Sequence, residues 1–189
     1  MPSIRRRPLK AIHFRQPLFR LCAVMAFLST LAMLDLGGID SMGYQALAGE
    51  PRSGKAPAFS VWDVDGNRRA LSDFLNVKPI LLEFMSPTCP HCVEMAPLLG
   101  RVHTIYGERV QFLTVAFDRD VHRIKQFVEL EKHPWPYLVG NQQVIDGYRL
   151  EGVPAFCFVA PDGRMVKFMV GSMPEKTLRE NIDALLKAQ

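Results

Sequence analysis

Residues 80–92 have the sequence ILLEFMSPTCPHC, an apolar run followed by two cysteines that are separated by two residues. The apolar part, Ile80 to Met85, predicts a buried central strand. A helix is expected to follow from about Pro90 to Tyr106, interrupted near Pro97. The cysteine pair therefore lies at the junction of a buried strand and a helix.

This junction determines the chemistry expected of the two thiols. Cys89 falls at the start of the helix, where unpaired backbone N–H groups and the helix dipole favour a thiolate. Cys92 lies one turn further along, close enough to form a disulfide with Cys89. The pair is thus a candidate redox centre.

Two other interpretations of the cysteines remain open. A structural zinc site needs four ligands with a second closely spaced pair, and the chain offers only Cys157 and scattered histidines (His103, His122 and His133). A purely structural disulfide between Cys89 and Cys92 would close a very small loop and add little stability. Cys157, in the middle of an apolar strand, is expected to be a small core residue.

Strand and helix patterns alternate along the rest of the chain. A β-hairpin is predicted around Asp65-Gly66-Asn67, with further strands at 110–117, 135–139, 154–160 and 165–170. Helices are predicted at 121–130, at 142–148 and after Pro174. This order predicts an α/β fold with a central mixed sheet, an N-terminal β-hairpin and flanking helices.

From Ala58 to Lys187 the sequence resembles the thioredoxin superfamily. Glu83, six residues before Cys89, matches the buried acid of that superfamily, and Pro97 matches its helix-kinking proline. Val153-Pro154, before an apolar strand, matches the cis-proline loop that faces the disulfide. The resemblance implies a thioredoxin fold with a helical insertion before that loop.

Different parts of the chain resemble different branches of the superfamily. The segment from Leu82 to Cys92 and the GVPA sequence at 152–155 are similar to the active site of DsbA-type oxidases. The opening residues 56–59, the Asp65-Gly66 hairpin and the single inserted helix are similar to TlpA/ResA-type extracytoplasmic thioredoxins. Thr88 departs from both branches, where an aromatic residue usually precedes the first cysteine.

The resemblance implies a thiol:disulfide oxidoreductase in which Cys89 is the nucleophile and Cys92 the resolving thiol. Pro90 and His91 complete the active-site turn, and the His91 imidazole either donates to the Cys89 thiolate or is a solvated loop residue. Val153 and Pro154 are expected to bind substrate.

No cofactor is implied beyond the Cys89–Cys92 disulfide itself. The implied partners are protein thiols or disulfides and a membrane protein that recycles the redox pair.

Glu83 carries a second inference about the chemistry. A carboxylate in an otherwise apolar strand is costly to bury unless it is paired or neutral. If it points beneath the cysteines, its pKa should be raised, and it can accept the proton of Cys92. The alternative is that Glu83 faces the other side of the sheet and pairs with a cation such as Lys78.

The direction of electron flow is less constrained by the sequence. Stabilising the Cys89 thiolate would raise the reduction potential, which favours an oxidase or isomerase. The alternative is a TlpA/ResA-type reductase that serves cytochrome c maturation or a similar process. A copper-handling assembly protein, with Cys89, Cys92 and a nearby His or Met as ligands, is an alternative from another class. The spacing of Pro, Thr and Cys used by peroxiredoxins is not found.

The first 48 residues are expected to form a signal peptide or an N-terminal membrane anchor. Six basic residues in the first twenty precede an uncharged apolar run at 21–34, and Ala46-Leu47-Ala48 provides a cleavage site. Residues 49–57 are predicted to be a linker and 58–189 a thioredoxin-like domain, located outside the cytoplasm, in the periplasm. Beyond residue 48 the basic and acidic side chains are equal in number, which argues against a nucleic-acid partner.

Overall fold

The computed structural model describes residues 54–188, which fold around one seven-stranded mixed sheet. The strands are β1 (Ser60–Asp63), β2 (Arg68–Ala70), β3 (Ile80–Met85), β4 (Gln111–Ala116), β5 (Tyr137–Val139), β6 (Ala155–Val159) and β7 (Met165–Val170). The helices are α1 (Pro90–Tyr106), α2 (Val121–Glu131), α3 (Gln142–Tyr148) and α4 (Glu175–Lys187). One turn of 3-10 helix covers Leu71–Phe74.

The strands lie in the order β2-β1-β5-β4-β3-β6-β7. Strand β3 is central, parallel to β4 and antiparallel to β6. Strand β5 is parallel to β4, and the β1–β2 hairpin extends the sheet beyond β5. The predicted mixed sheet with an N-terminal hairpin is confirmed.

All six residues of β3 are buried, and their side chains alternate between the two faces of the sheet. Leu81 and Met85 pack in one core cluster with residues of α1, α2 and α4. Leu82 and Phe84 pack in the second cluster, which contains Tyr148 of α3. Glu83 lies between Leu81 and Met85 in this alternation, so it faces the side that α1 covers.

Helix α1 differs from the expectation at Pro97. The helix runs without a break from Pro90 to Tyr106, with Pro97 inside it and exposed. Proline removes one backbone donor from a helix interior and disfavours the helical path. Buried Met95, Leu99 and Val102 anchor both sides of Pro97 in the core, and this packing keeps the helix continuous.

The N-terminal end of the described chain is bonded to the sheet. The N–H of Ala56 donates to the Gly163 carbonyl over 2.8 Å, and that of Met165 donates to the Gly54 carbonyl over 2.9 Å. Gly54 and Ala56 belong to the predicted linker.

The predicted leader, with its apolar run at 21–34, lies outside the described residues. Among the helices between residues 54 and 188, none combines the length and the apolar character that a membrane span requires.

Candidate active site

The turn between β3 and α1 holds the two cysteines. Cys89 is the N-cap of α1, and its N–H donates to the Ser86 carbonyl over 3.1 Å. The Cys89 carbonyl accepts from the N–H groups of Cys92 and Val93, each over 3.1 Å. These bonds form a tight first turn that places Cys89 at the helix end and Cys92 inside it.

The two thiols differ in exposure. Cys89 is half-buried, whereas Cys92 is fully buried. Burial is the main cause that raises the pKa of the Cys92 thiol; the contact with Cys89 and the negative potential of Glu83 add to it. Cys92 therefore needs a proton acceptor before it can act as a nucleophile.

The loop before β6 lies beside Cys89. The Cys89 Sγ donates to the Val153 carbonyl over 3.5 Å, and the Val153–Pro154 peptide bond is cis. Because β6 pairs with β3, the residues that precede β6 lie at the same edge of the sheet as the residues that follow β3. The fold thus brings Val153 and Pro154 to the cysteine pair from 64 residues away.

Glu83 lies beneath the cysteines and is 5% exposed. Burial raises its pKa from 4.5 to about 7, although a hydrogen bond of 2.8 Å from the Thr114 hydroxyl favours the charged form. The alternative in which Glu83 faces the other side of the sheet and pairs with Lys78 is wrong, because Glu83 faces α1 and is bonded to Thr114. Lys78 instead donates to the Gly107 carbonyl over 3.4 Å. Glu83 can thus exchange a proton near neutral pH.

A group of polar and aromatic residues that was not predicted from the sequence lies next to Glu83. The indole N–H of Trp135 donates to the Thr114 hydroxyl over 3.0 Å. The Tyr137 hydroxyl lies 2.6 Å from Nδ1 of His133, and the His133 ring stacks on Trp135 with centroids 4.1 Å apart. No local motif marks these residues, and only the register of β3, β4 and β5 would have grouped them.

Pro90 and His91 are both exposed at the start of α1. The His91 side chain is 70% exposed, and its Nδ1 lies 3.5 Å from the Glu94 carboxylate. The suggested donation from His91 to the Cys89 thiolate therefore stays a prediction.

The third described cysteine lies away from the pair. Cys157 sits opposite Leu82 in the β3–β6 register and is buried in the second core cluster, on the other face of the sheet from Cys92. Within residues 54–188, no group of three or more Cys, His, Asp or Glu side chains is arranged to hold a metal ion.

The chain is similar to known proteins over the part that contains this site. The profile of the AhpC/TSA family matches residues 53–168. The thiol:disulfide interchange protein TxlA of Synechococcus elongatus is 28% identical over 114 residues, which are 60% of this chain and 50% of TxlA. The thiol-disulfide oxidoreductase ResA of Bacillus subtilis is 24% identical over 132 residues, 69% of this chain and 73% of ResA.

A solved structure shows the same fold. It is that of a secreted Mycobacterium tuberculosis disulfide oxidoreductase homologous to E. coli DsbE, with a TM-score of 0.60 and 25% identity. The match covers 67% of this chain and 95% of that protein. The thioredoxin superfamily and the TlpA/ResA-like scaffold expected from the sequence are confirmed, although the chain spans only half of the length of TxlA.

Proposed function

The chain belongs to the AhpC/TSA family, and we propose that it is an extracytoplasmic thiol:disulfide oxidoreductase whose redox centre is the Cys89–Cys92 pair. The observation that carries the proposal is the pairing of a half-exposed thiol at a helix start with a buried one that lies over a carboxyl group. The names of TxlA and ResA support the same activity.

The chemistry follows from these positions. The Cys89 thiolate attacks a substrate disulfide, forms a mixed disulfide and releases one substrate thiolate. Cys92 then transfers its proton to Glu83 and attacks the Cys89 sulfur, which releases the second substrate thiolate and closes the Cys89–Cys92 disulfide. The substrate disulfide is reduced and the cysteine pair is oxidised by two electrons.

The same steps in reverse oxidise a substrate. A substrate thiolate attacks the Cys89 sulfur, and Cys92 leaves as a thiolate that takes a proton from neutral Glu83. A second substrate thiolate then attacks the substrate sulfur of the mixed disulfide, which forms the substrate disulfide and releases the Cys89 thiolate. We favour this direction, or isomerisation, because Cys89 caps α1, where the helix dipole stabilises a thiolate. A reductase of the ResA type is the second candidate, supported by the similarity of the chain to ResA and by the exposed His91 ring, whose Nδ1 lies 3.5 Å from the Glu94 carboxylate.

Substrate is proposed to bind across Val153 and Pro154. The Val153 carbonyl lies within 3.5 Å of the Cys89 sulfur, so a substrate residue bonded to that sulfur would run alongside this backbone. An extended peptide can pair there as an added strand. The proposed substrates are protein thiols or disulfides, and the recycling partner is a membrane redox protein.

We also propose that the domain acts in the periplasm and that it needs no dissociable cofactor. A basic, apolar leader that ends in Ala46-Leu47-Ala48 supports export. The Cys89–Cys92 disulfide supplies the two redox equivalents, so none need come from a bound group.

Trapping of the mixed disulfide tests the function. In a Cys22→Ser background, reduced Cys92→Ser should accumulate mixed disulfides with a disulfide-containing client, because Cys89 attacks the client disulfide and releases one client thiolate, and Cys89→Ser should accumulate none. Cys157→Ser is the matched control, since this cysteine is buried on the opposite face of the sheet. Equal trapping by Cys89→Ser and Cys92→Ser would contradict the assignment.

A further inference from the structure

The Trp135 side chain is connected to Glu83 through Thr114. The indole N–H of Trp135 donates to the Thr114 hydroxyl over 3.0 Å, and that hydroxyl bonds to Oε2 of Glu83 over 2.8 Å. All three residues are buried, and Thr114 has no exposed surface. The two hydrogen bonds thus form one chain that ends on a carboxylate oxygen beneath the cysteines.

The indole restricts the direction of this chain. An indole N–H donates a hydrogen bond and cannot accept one. Trp135 therefore occupies one lone pair of the Thr114 oxygen, which leaves the single hydroxyl proton of Thr114 available to Glu83. If Thr114 is the donor in both charge states of Glu83, Oε2 is always an acceptor, and the proton of the neutral acid is carried by Oε1.

Two prolines hold the backbone of Trp135. Pro134 and Pro136 flank it in the connection between α2 and β5. Proline fixes its own φ and restricts the residue that precedes it. The Pro136 carbonyl also accepts from the Thr114 N–H over 3.1 Å. Thr114 is thus bonded to this segment twice, through its backbone to Pro136 and through its hydroxyl to Trp135.

Three rings pack around the indole and limit its rotation. The His133 ring stacks on it, with centroids 4.1 Å apart and planes 13° apart. The centroids of the His103 and Phe112 rings lie 4.9 Å and 5.2 Å from that of the indole. His103 belongs to α1 and Phe112 to β4, so the helix that carries Cys92 and the strand that carries Thr114 both hold the indole in place.

We propose that Trp135 is a positioning residue that keeps Thr114 as a one-way donor to Glu83, so that Oε1 carries the proton that the carboxyl group exchanges. The inference rests on the proposed role of Glu83 as the acid and base for Cys92. During resolution of a mixed disulfide, Oε1 takes the proton of Cys92, and in the reverse reaction the same oxygen returns it. Trp135 acts on this transfer through Thr114.

The charges around this chain are nearly constant where Glu83 titrates. Burial lowers the pKa of His103 and His133, so both rings are mostly neutral near a pH of about 7. The titratable groups that sense the charge of Glu83 are Cys92 and Tyr137, and burial raises the pKa of each. In the oxidised protein, Cys92 has no proton to lose, so Glu83 is the group of this set that titrates at a pH of about 7.

Replacing the indole N–H with sulfur tests the role of Trp135. Stop-codon suppression places 3-benzothienylalanine, a tryptophan analogue of nearly the same shape, at position 135 of the full chain. Infrared titration of the oxidised protein follows the carboxyl band of Glu83, which is assigned by its loss in Glu83→Gln. The midpoint should move to higher pH by about half a pH unit, because Thr114 becomes a weaker and less fixed donor to the carboxylate. The matched control is the same replacement at Trp62, which is 53% exposed, and it should leave the midpoint unchanged.

A second background separates this role from simple packing. In Thr114→Val, the analogue at position 135 should leave the Glu83 midpoint where it is, since Trp135 acts through the Thr114 hydroxyl. An equal shift in both backgrounds, or no shift in the parent background, would overturn the proposal.

The frequency of the carboxyl band tests the site of the proton. If Oε1 carries it, the Oε2 carbonyl of neutral Glu83 accepts from Thr114, and a hydrogen bond to a carbonyl lowers its stretching frequency. The band of neutral Glu83 should therefore lie at lower wavenumber in the parent than in Thr114→Val. A parent band at the same or a higher wavenumber would overturn the one-way donor. Failure of the parent chain to form mixed disulfides would instead overturn the proposed function and leave both infrared results intact.

Discussion

Glu83 and Thr114 face each other across the parallel pair β3 and β4, and the Thr114 hydroxyl donates a 2.8 Å hydrogen bond to the Glu83 carboxylate. Burial opposes the charge on Glu83, and this bond favours it. The balance leaves a pKa of about 7, so the carboxyl group can take or give a proton under physiological conditions.

Replacing Glu83 with Gln should slow the resolution of mixed disulfides by Cys92. The amide keeps the shape of the side chain but cannot accept a proton, and the expected loss is about 10²-fold near neutral pH. Single-turnover release of a thiol from a mixed disulfide at Cys89 measures this rate. Superimposable pH–rate profiles for Glu83→Gln and the parent would contradict the assignment.

Glu83 should also make stability depend on pH. Its pKa is raised from 4.5 to about 7, so between these values the folded protein holds a proton that the unfolded chain has lost. The free energy of unfolding should therefore fall as pH rises through this window, by about 3 kcal/mol. Urea unfolding of the parent and of Glu83→Gln at several pH values measures this dependence. The Gln variant should gain stability relative to the parent as pH rises. A difference in free energy of unfolding that does not change with pH would contradict the prediction.

Thr114→Val should raise the pKa of Glu83 above about 7, because the donor that favours the carboxylate is lost. The free energy of unfolding of the variant should also fall by about 1–3 kcal/mol, since the Trp135 N–H would lack its acceptor. Infrared titration of Glu83 and urea unfolding measure the two effects. Thr104→Val, which removes an exposed hydroxyl, is the control and should leave the Glu83 titration unchanged.

Alkylation should distinguish the three described cysteines. In the reduced protein at about pH 6, a small alkylating reagent should label Cys89 first, because Cys92 is buried and burial raises its pKa. Cys157, with no exposed surface, should react only after unfolding and provides an internal control. Mass spectrometry of labelled peptides gives the order, and faster labelling of Cys92 would reverse the proposed roles.

The direction of electron flow should appear in the stability of the two redox forms. Stabilisation of the Cys89 thiolate by the start of α1 exists only in the reduced protein, and the disulfide closes too small a loop to compensate. Denaturant unfolding at about pH 7 should therefore show that the reduced form has the larger free energy of unfolding. If the difference in free energy of unfolding between the two redox forms is smaller in His91→Gly, part of the stabilisation of the Cys89 thiolate comes from the His91 imidazole.

The opposite order of stability has a clear meaning. If the oxidised form unfolds at the higher denaturant concentration, the cysteine pair is a reductant, and the ResA-type reductase becomes the function of this site.

Local sequence was sufficient to predict the centre of the site. An apolar run that meets a C-x-x-C pair identifies a strand followed by a helix start, and the two-residue period of a strand places Glu83 on the same face as Leu81 and Met85. These relations depend only on neighbouring residues, so they can be predicted without knowledge of any long-range contact. The strand boundaries Ile80–Met85 and Met165–Val170 agree with the prediction for the same reason.

Only the tertiary structure decided what surrounds Glu83. Thr114 is 31 residues from Glu83 in the sequence. Tyr137, on a third strand, lies opposite Thr114 in the register of β4 and β5. Strand order and register depend on packing of the whole core, and no local pattern encodes them. Core packing also decided two local features. Buried residues on both sides of Pro97 keep α1 continuous. The strand register gives Glu83 the Thr114 hydroxyl as its partner, while Lys78 bonds elsewhere.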